Sequence, residues 1–167
     1  MLTIKLTSSQ ERALRRLVGL LDGADACWQF TGGFAGNLHG SRWPLHDLDV
    51  DVARVDLPRA AEVLRPYTTW PLGLYVDDEF ELQLLRAEVE GQEVDVSQAE
   101  EAFARIGGRR VSLNTTLANR QRVRVLDLEV WVQPLCELIA YKELLGRSAD
   151  LADLRALPAR SAGREGN

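Results

Sequence analysis

Apolar residues recur along the chain at two spacings, which divide it into helices and strands. Between residues 8 and 23 they return every three or four positions, the spacing of an amphipathic helix. Ser8 and Glu11 predict a capping box at the start of this helix, and Gly23 predicts its end. Helical patterns also predict helices over 34–39, 56–65, 100–106 and 150–157, and a longer helix opened by Pro134.

Strands are predicted where β-branched and aromatic residues cluster between glycine, proline and acidic residues. They cover 26–31, 48–52, 70–76, 80–90, 93–96, 109–113 and 122–132. Gly91 and Gln92 separate two of these segments and resemble a hairpin turn. Strands interleaved with helices predict an α/β (α+β) fold. We expect one domain over residues 1–157 and a disordered tail over 158–167.

Composition places the chain among globular proteins with a substantial core. It has 167 residues, of which 46% are hydrophobic and 27% charged, and a formal net charge of −5. The negative charge argues against DNA binding, because nucleic-acid affinity depends on phosphate neutralisation. No apolar run is long enough to span a bilayer, and Cys27 and Cys136 lie far apart. We therefore expect a cytoplasmic protein with reduced thiols and no membrane partner.

Arginine is concentrated in one stretch that lacks acidic residues. Between residues 102 and 126 the arginines are Arg105, Arg109, Arg110, Arg120, Arg122 and Arg124. Such a run is most often a solvated face of the protein. The alternative is a surface that contacts anions and could dock the end of an RNA acceptor.

A glycine pair marks the start of the segment with the densest polar chemistry. Gly32 and Gly33 follow a predicted strand and precede a predicted helix. The free amides at a helix N-terminus and the helix dipole favour an anion there. Glycine also lets the backbone approach a phosphate closely, because there is no Cβ. The pair therefore predicts a phosphate site, although most glycine pairs are simple turns.

Carboxylates follow at every second residue. Asp47, Asp49 and Asp51 alternate with aliphatic residues, which places them on one face of a strand. Like charges on one face repel, so the row indicates a bound cation; a solvated edge strand is the alternative. Asp95, between two valines, reaches the same face if its strand is a neighbour in the sheet. Two residues could take its place: Asp127 and Glu129.

This constellation resembles the polymerase-beta-type nucleotidyltransferase superfamily. Its members share a Gly-Gly or Gly-Ser turn, a strand with a carboxylate–apolar–carboxylate motif, and a third carboxylate on a later strand. The matching residues here are Gly32, Gly33, Asp47, Asp49 and Asp95. Small bacterial members include aminoglycoside and lincosamide nucleotidyltransferases and AbiEii-type toxins. Their glycine–arginine element resembles 40–42, and their C-terminal helical residues resemble Lys142, Arg147, Asp150 and Asp153.

Two features depart from the family pattern. Gly33 stands where many members have a serine whose hydroxyl contacts a phosphate, so only backbone amides are offered here. The stretch 43–46, Trp-Pro-Leu-His, is bulkier than the short polar segment usual before the first aspartate. This stretch either shapes a pocket for the acceptor or the base, or packs within the protein.

The resemblance implies a nucleotidyltransferase fold: a mixed sheet, helices mainly on one face and a short helical C-terminus. It implies that Asp47 and Asp49 hold Mg²⁺, in a two-metal site completed by Asp95 as shared ligand or catalytic base. Residues implied in binding the NTP are Gly32, Gly33, Ser41, Arg42 and Lys142. Arg42 and Lys142 would also neutralise charge on the leaving pyrophosphate; a surface salt bridge is the alternative for either.

We therefore expect Mg²⁺-dependent transfer of a nucleoside monophosphate, with ATP as the first choice of donor, to an acceptor hydroxyl. A small-molecule acceptor such as an antibiotic-like polyol fits the acidic charge and the small size. The alternatives are a toxin or defence enzyme that modifies RNA or protein, a non-catalytic homologue that binds a nucleotide, and a structural module. The intact pair Asp47 and Asp49 favours catalysis over a degenerate homologue.

Overall fold

The computed structural model describes residues 4–158, which form five α-helices and nine β-strands. The helices are α1 (Ser8–Gly23), α2 (Gly32–His39), α3 (Leu57–Leu64), α4 (Leu135–Leu144) and α5 (Ser148–Arg155). The strands are β1 (Trp28–Thr31), β2 (Leu48–Val52), β3 (Thr68–Val76), β4 (Phe80–Val89), β5 (Gln92–Gln98), β6 (Phe103–Ile106), β7 (Arg109–Ser112), β8 (Gln121–Val125) and β9 (Leu128–Val132). Apart from Pro158, the predicted tail lies outside the described residues.

All nine strands belong to one mixed sheet. Eight follow the order β7-β6-β4-β5-β2-β1-β9-β8, and β3 pairs with β4 beside this path. The pairs β2–β5 and β1–β9 are parallel, and the other pairs are antiparallel. The predicted mixed α/β architecture is therefore confirmed, and β2, the strand with alternating aspartates, lies in the middle of the sheet.

The strand register separates an apolar face from a polar one. Val50 lies beside Phe30 on β1 and Val96 on β5, and all three are buried in the hydrophobic core. Helices α1, α2, α3 and α4 contribute residues to the same core, which include Leu17, Phe34, Leu64 and Leu138. Because side chains alternate across a strand, the neighbouring residues Asp49 and Asp95 face the opposite side. The site is built on that side.

Three sequence predictions about local structure are wrong. The capping box of α1 uses Thr7 and Gln10 instead of Ser8 and Glu11, so the helix starts one residue earlier than the predicted cap implies. The helix predicted over 100–106 is instead strand β6, which pairs with β7 across a Gly107–Gly108 turn. A local pattern cannot reveal this pairing, because a short apolar run suits a helix and a strand equally well.

The third error concerns 122–132, predicted as one strand. The segment is a hairpin of β8 and β9, in which Leu126 turns the chain with a positive φ of 55°. A positive φ is unusual for a leucine, which is why the sequence carries no turn signal there. No helix within residues 4–158 combines the length and apolarity required to cross a membrane.

Candidate active site

Three aspartates from two parallel strands meet on the polar face of the sheet. Asp47 directly precedes β2, Asp49 lies on β2, and Asp95 lies beside Asp49 on β5. One carboxylate oxygen from each lies within 4.8 Å of the others. In the described part of the chain this is the only cluster of three or more potential metal ligands. The structure therefore brings together the three residues that the sequence proposed as metal ligands.

The two alternative third carboxylates lie elsewhere. Asp127, in the turn between β8 and β9, pairs with Arg15 of α1 at 2.5 Å. Glu129 pairs with Arg122 at 3.3 Å, and both side chains are exposed. Neither residue belongs to the aspartate cluster.

The loop between α2 and β2 is tied down by side-chain amides, which fixes the approach to Asp47. Asn37 donates hydrogen bonds from Nδ2 to the carbonyl oxygens of Ser41 (3.1 Å) and Trp43 (2.8 Å). Gln92 donates from Nε2 to the carbonyl oxygen of His46 at 2.7 Å. His46, which is adjacent to Asp47, is thereby held to Gln92, the first residue of the strand that carries Asp95.

Two of the three clustered carboxyl groups, Asp49 and Asp95, have raised pKa values. Burial raises the pKa of Asp49 to about 8, and the neighbouring charges of Asp47, Asp95 and Asp51 add to the effect, whereas Lys142 opposes it. Burial also raises the pKa of Asp95, against the opposing influence of Arg86. A bound divalent cation would lower these pKa values again, because it favours the ionised carboxylates.

Asp51 shares the face of the cluster but lies deeper. Its Oδ2 accepts a hydrogen bond of 3.2 Å from Nε2 of Gln29, and only 8% of the residue is exposed. Burial raises the pKa of Asp51 to about 7, although hydrogen bonds from Gln29 and Ser97 lower it. It is not among the clustered carboxylates. The alternating row therefore divides into two potential ligands and one buried, hydrogen-bonded residue.

Gly32 couples the helix N-terminus to the carboxylates. Helix α2 begins at this residue directly after β1, and φ of Gly32 is +62°, a conformation that favours glycine. A Cβ at this position would lie 2.3 Å from Oδ2 of Asp49. A side chain at this position would therefore clash with the Asp49 carboxylate. Gly33 follows in the first turn, and a Cβ there would meet nothing within 4 Å.

The two C-terminal helices add polar groups to the site. Lys142 on α4 is buried, and its Nζ donates a hydrogen bond of 3.1 Å to Oδ2 of Asp150. Ser41 is also buried and donates from Oγ to Oδ2 of Asp153 at 2.7 Å. The Ser41 hydroxyl thus links the loop after α2 to α5. Of the family-matched residues, Lys142 and Ser41 both line the central cavity.

Arg42 does not join the other proposed site residues. It is exposed and does not line the cavity; it lies with Pro44 and Asp153 on a shallow surface beside it. Sequence reasoning instead missed Arg86 on β4, which lies directly opposite Asp95 in the antiparallel register. The Nε of Arg86 donates to Oδ1 of Asp95 at 3.1 Å. The cation nearest the third carboxylate therefore comes from the sheet.

The arginine-rich stretch does not form one surface. Three of its arginines lie on β6 and β7, at one end of the sheet order, whereas β8 lies at the other end. Arg110 stacks 3.5 Å from the ring centroid of Phe103, and Arg120 and Arg122 stack on Trp131 at 4.0 and 4.9 Å. Half of the six arginines thus stack on aromatic rings of this chain.

A cavity of about 560 Å³ opens on the polar face of the sheet. It is lined by all the proposed site residues except Arg42, and also by Tyr75, Phe80, Leu82, Leu84, Arg86, Tyr141 and Arg147. Its volume is typical of small-molecule sites. The donor set at its centre fits Mg²⁺, because hard oxygen ligands from one or two carboxylates are what this ion takes from proteins. The open space beside Gly33 leaves room for a phosphate.

Comparisons with known proteins give matches in structure only. The sequence matches no protein-family profile and no curated protein. TM1012 of Thermotoga maritima, a proposed nucleotidyltransferase, has a similar structure with a TM-score of 0.73 and 17% identity, over 90% of this chain and 93% of that one.

The antibiotic-resistance factor ANT(2'')-Ia is also similar, in two structures. Its solution structure gives a TM-score of 0.59 and 9% identity, over 90% of this chain and 83% of that one. Its crystal structure with adenylyl-2''-tobramycin gives a TM-score of 0.54 and 11% identity, over 85% of this chain and 83% of that one. The chain therefore has the nucleotidyltransferase fold that the sequence resemblance implied.

Proposed function

We propose that this protein is a Mg²⁺-dependent nucleotidyltransferase that moves a nucleoside monophosphate from an NTP, ATP in the first instance, to a hydroxyl group of a small molecule. The observation that carries the proposal is the cluster of Asp47, Asp49 and Asp95 beside the glycine-led N-terminus of α2, inside one cavity. Carboxylates for a cation and free amides for a polyphosphate are the two needs of a metal–NTP complex.

The residues of the site divide the chemical work. Asp47 and Asp49 would hold Mg²⁺, which would stabilise the attacking oxygen and the departing pyrophosphate. The amides of Gly32 and Gly33 would bind the triphosphate, with the buried ammonium of Lys142 nearby in the same cavity. Asp95 would take the proton of the acceptor hydroxyl on the oxygen that Arg86 does not occupy.

The acceptor is proposed from the cavity and from a structural neighbour. A cavity of about 560 Å³ suits a nucleotide and part of a small acceptor better than a macromolecule. The neighbour ANT(2'')-Ia, crystallised with adenylyl-2''-tobramycin, supports AMP as the transferred group. The dispersal of the arginines to both ends of the sheet removes the main sequence argument for an RNA acceptor.

Thermal unfolding with ATP, CTP, GTP or UTP, each with and without Mg²⁺, tests the binding step. We expect one or more nucleotides to raise the unfolding temperature only when Mg²⁺ is present. Pyrophosphate release in the presence of a panel of hydroxyl compounds tests the transfer step. Asp49→Asn should abolish release, and Asp127→Asn, which removes a carboxylate outside the site, should leave it unchanged. Absence of any nucleotide-dependent shift would refute the proposal.

A further inference from the structure

The cavity continues past Asp95 into a part with different chemistry. Phe80, Leu82 and Leu84 line it from alternate positions of β4, so they share one face of the sheet. Tyr75 of β3 lies beside Leu82 in the strand register and also lines the cavity. This region, which we call the β4 pocket, has an apolar floor next to the proposed catalytic carboxylate.

Arg86 stands where the β4 pocket meets the aspartates. It follows Leu84 on the same face of β4, and its Nε donates to Oδ1 of Asp95. Its guanidinium carbon lies 5.5 Å from the centroid of the Tyr75 ring, so the side chain is held from both sides. A guanidinium has five N–H donors, more than these contacts use. The remaining N–H donors of Arg86 lie in the cavity, where a bound molecule can reach them.

The acidic groups around the β4 pocket are engaged by the protein. Asp77 accepts hydrogen bonds from the hydroxyl of Tyr75 (2.8 Å) and from the backbone amides of residues 79 and 80. Asp150 accepts from Lys142. On the opposite side, Arg147 precedes α5 and also lines the cavity, where it pairs with Glu79. An acceptor in the β4 pocket would thus meet an apolar floor and two guanidinium ions, each of which already bonds to one carboxylate of this chain.

We propose that the acceptor of this site has an apolar body and an anionic group, a carboxylate or a phosphate, which Arg86 binds. The inference rests on the proposed function and narrows its acceptor. A polycation would bring like charge against Arg86, which is held in place by Asp95, and an unfavourable contact of this kind is a means of excluding a ligand. Tobramycin, whose adenylyl derivative was crystallised with ANT(2'')-Ia, has the opposite character to the acceptor inferred here.

Matched probes of different charge test the inference by binding alone. The donor half is first filled with Mg²⁺ and the non-reactive analogue α,β-methylene-ATP, whose own binding tests the proposed function separately. Benzoate, benzyl alcohol and benzylamine share one ring and carry charges of −1, 0 and +1. Their affinities are measured by ligand-observed NMR, with tobramycin as a fourth probe. We expect benzoate to bind tightest and both amines to bind weakest.

Two variants identify the residue responsible. Arg86→Gln should lower benzoate affinity about tenfold, the usual effect of losing one charge-assisted hydrogen bond, and leave benzyl alcohol unaffected. Arg124→Gln, which changes an exposed arginine of β8 outside the cavity, should alter none of the affinities. The inference fails if either amine binds more tightly than benzoate, or if Arg86→Gln preserves the charge preference. Normal binding of the ATP analogue in those cases would leave the proposed function intact.

Discussion

Replacing Asp49 with asparagine should stabilise the metal-free protein while removing its response to Mg²⁺. Burial raises the pKa of this carboxyl from 3.8 to about 8, so at pH 7 the folded protein must either bind a proton or keep a poorly solvated charge. One pKa unit corresponds to about 1.4 kcal/mol, and 3.2 units separate 3.8 from pH 7. Asp49→Asn should therefore raise the free energy of unfolding of the metal-free protein by on the order of 4 kcal/mol at pH 7.

The sign of the pH dependence follows from the direction of the shift. A carboxyl whose folded-state pKa is raised holds its proton more tightly when folded, so the wild type loses stability as pH rises from about 4 to about 8. Asp49→Asn should remove most of this loss and flatten the profile. Because Mg²⁺ binds only the ionised carboxylates, its stabilising effect on the wild type should increase over the same pH range.

Urea unfolding at pH 5, 6, 7 and 8, with and without 10 mM Mg²⁺, measures both effects. Asp127→Asn is the control, because that exposed carboxylate pairs with Arg15 and has a lowered pKa. The control should be slightly less stable than the wild type and keep its full response to Mg²⁺. An Asp49→Asn protein that is less stable than the wild type at pH 7 to 8 without metal would refute the electrostatic reasoning. A retained Mg²⁺ response would show that the ligands are wrongly assigned.

Two further predictions concern the neighbours of Asp49. Gly32→Ala should lower the free energy of unfolding by more than about 1 kcal/mol, because of the positive φ at this position, and should weaken the Mg²⁺ response, because the added Cβ would displace the Asp49 carboxylate. Chemical unfolding with metal titration measures both effects. The control Gly19→Ala, at a position with open space around it, should be neutral or stabilising. Asp150→Asn should destabilise more than Lys142→Met in urea unfolding, because the former leaves a buried ammonium without its ion-pair partner; equal effects would contradict this.

The central motif could be predicted because its information is local. Asp47 and Asp49 are two residues apart, and a strand places such residues on one face whatever the rest of the chain does. The helix after β1 was likewise predicted from a few residues, although it begins at Gly32 and not at residue 34 as predicted. The placement of Asp95 needed one further condition, that its strand lies beside β2, and the parallel β2–β5 pair meets it.

Arg86 was missed because its position depends on the register of a hairpin. The predicted turn at 91–92 would place Glu88 opposite Asp95. The actual turn consists of Glu90 and Gly91, both with positive φ, and it places Arg86 there instead. A two-residue turn with glycine at its second position favours this choice, so the signal was present. A shift in the turn changes every pair in the hairpin, and with it the charge that faces Asp95.

The alternative interpretation of the arginine-rich stretch, a single surface that contacts anions, lacks support for a different reason. Its residues are contiguous in sequence, but the sheet order sends β6 and β7 to one end and β8 to the other. Order within a sheet is set by long-range pairing, which the composition of a segment does not contain. Stacking of Arg120 and Arg122 on Trp131 also gives these cations a role within the protein. A cluster of like residues in sequence is therefore weak evidence for a cluster on the surface.

The two strands of the site depend on a cation to different degrees. Asp95 already has one, because Arg86 bonds to it across the β4–β5 pair and opposes the effect of burial on its pKa. Asp49 has three neighbouring carboxylates that raise its pKa, and Lys142, the cation that lowers it, is already hydrogen-bonded to Asp150. The ionised state of Asp49 thus lacks a dedicated partner within the site, whereas that of Asp95 has one. Filling the site with metal should consequently stabilise β2 more than β5, and the slowing of amide hydrogen exchange by Mg²⁺ should be greater in residues 48–52 than in 92–98.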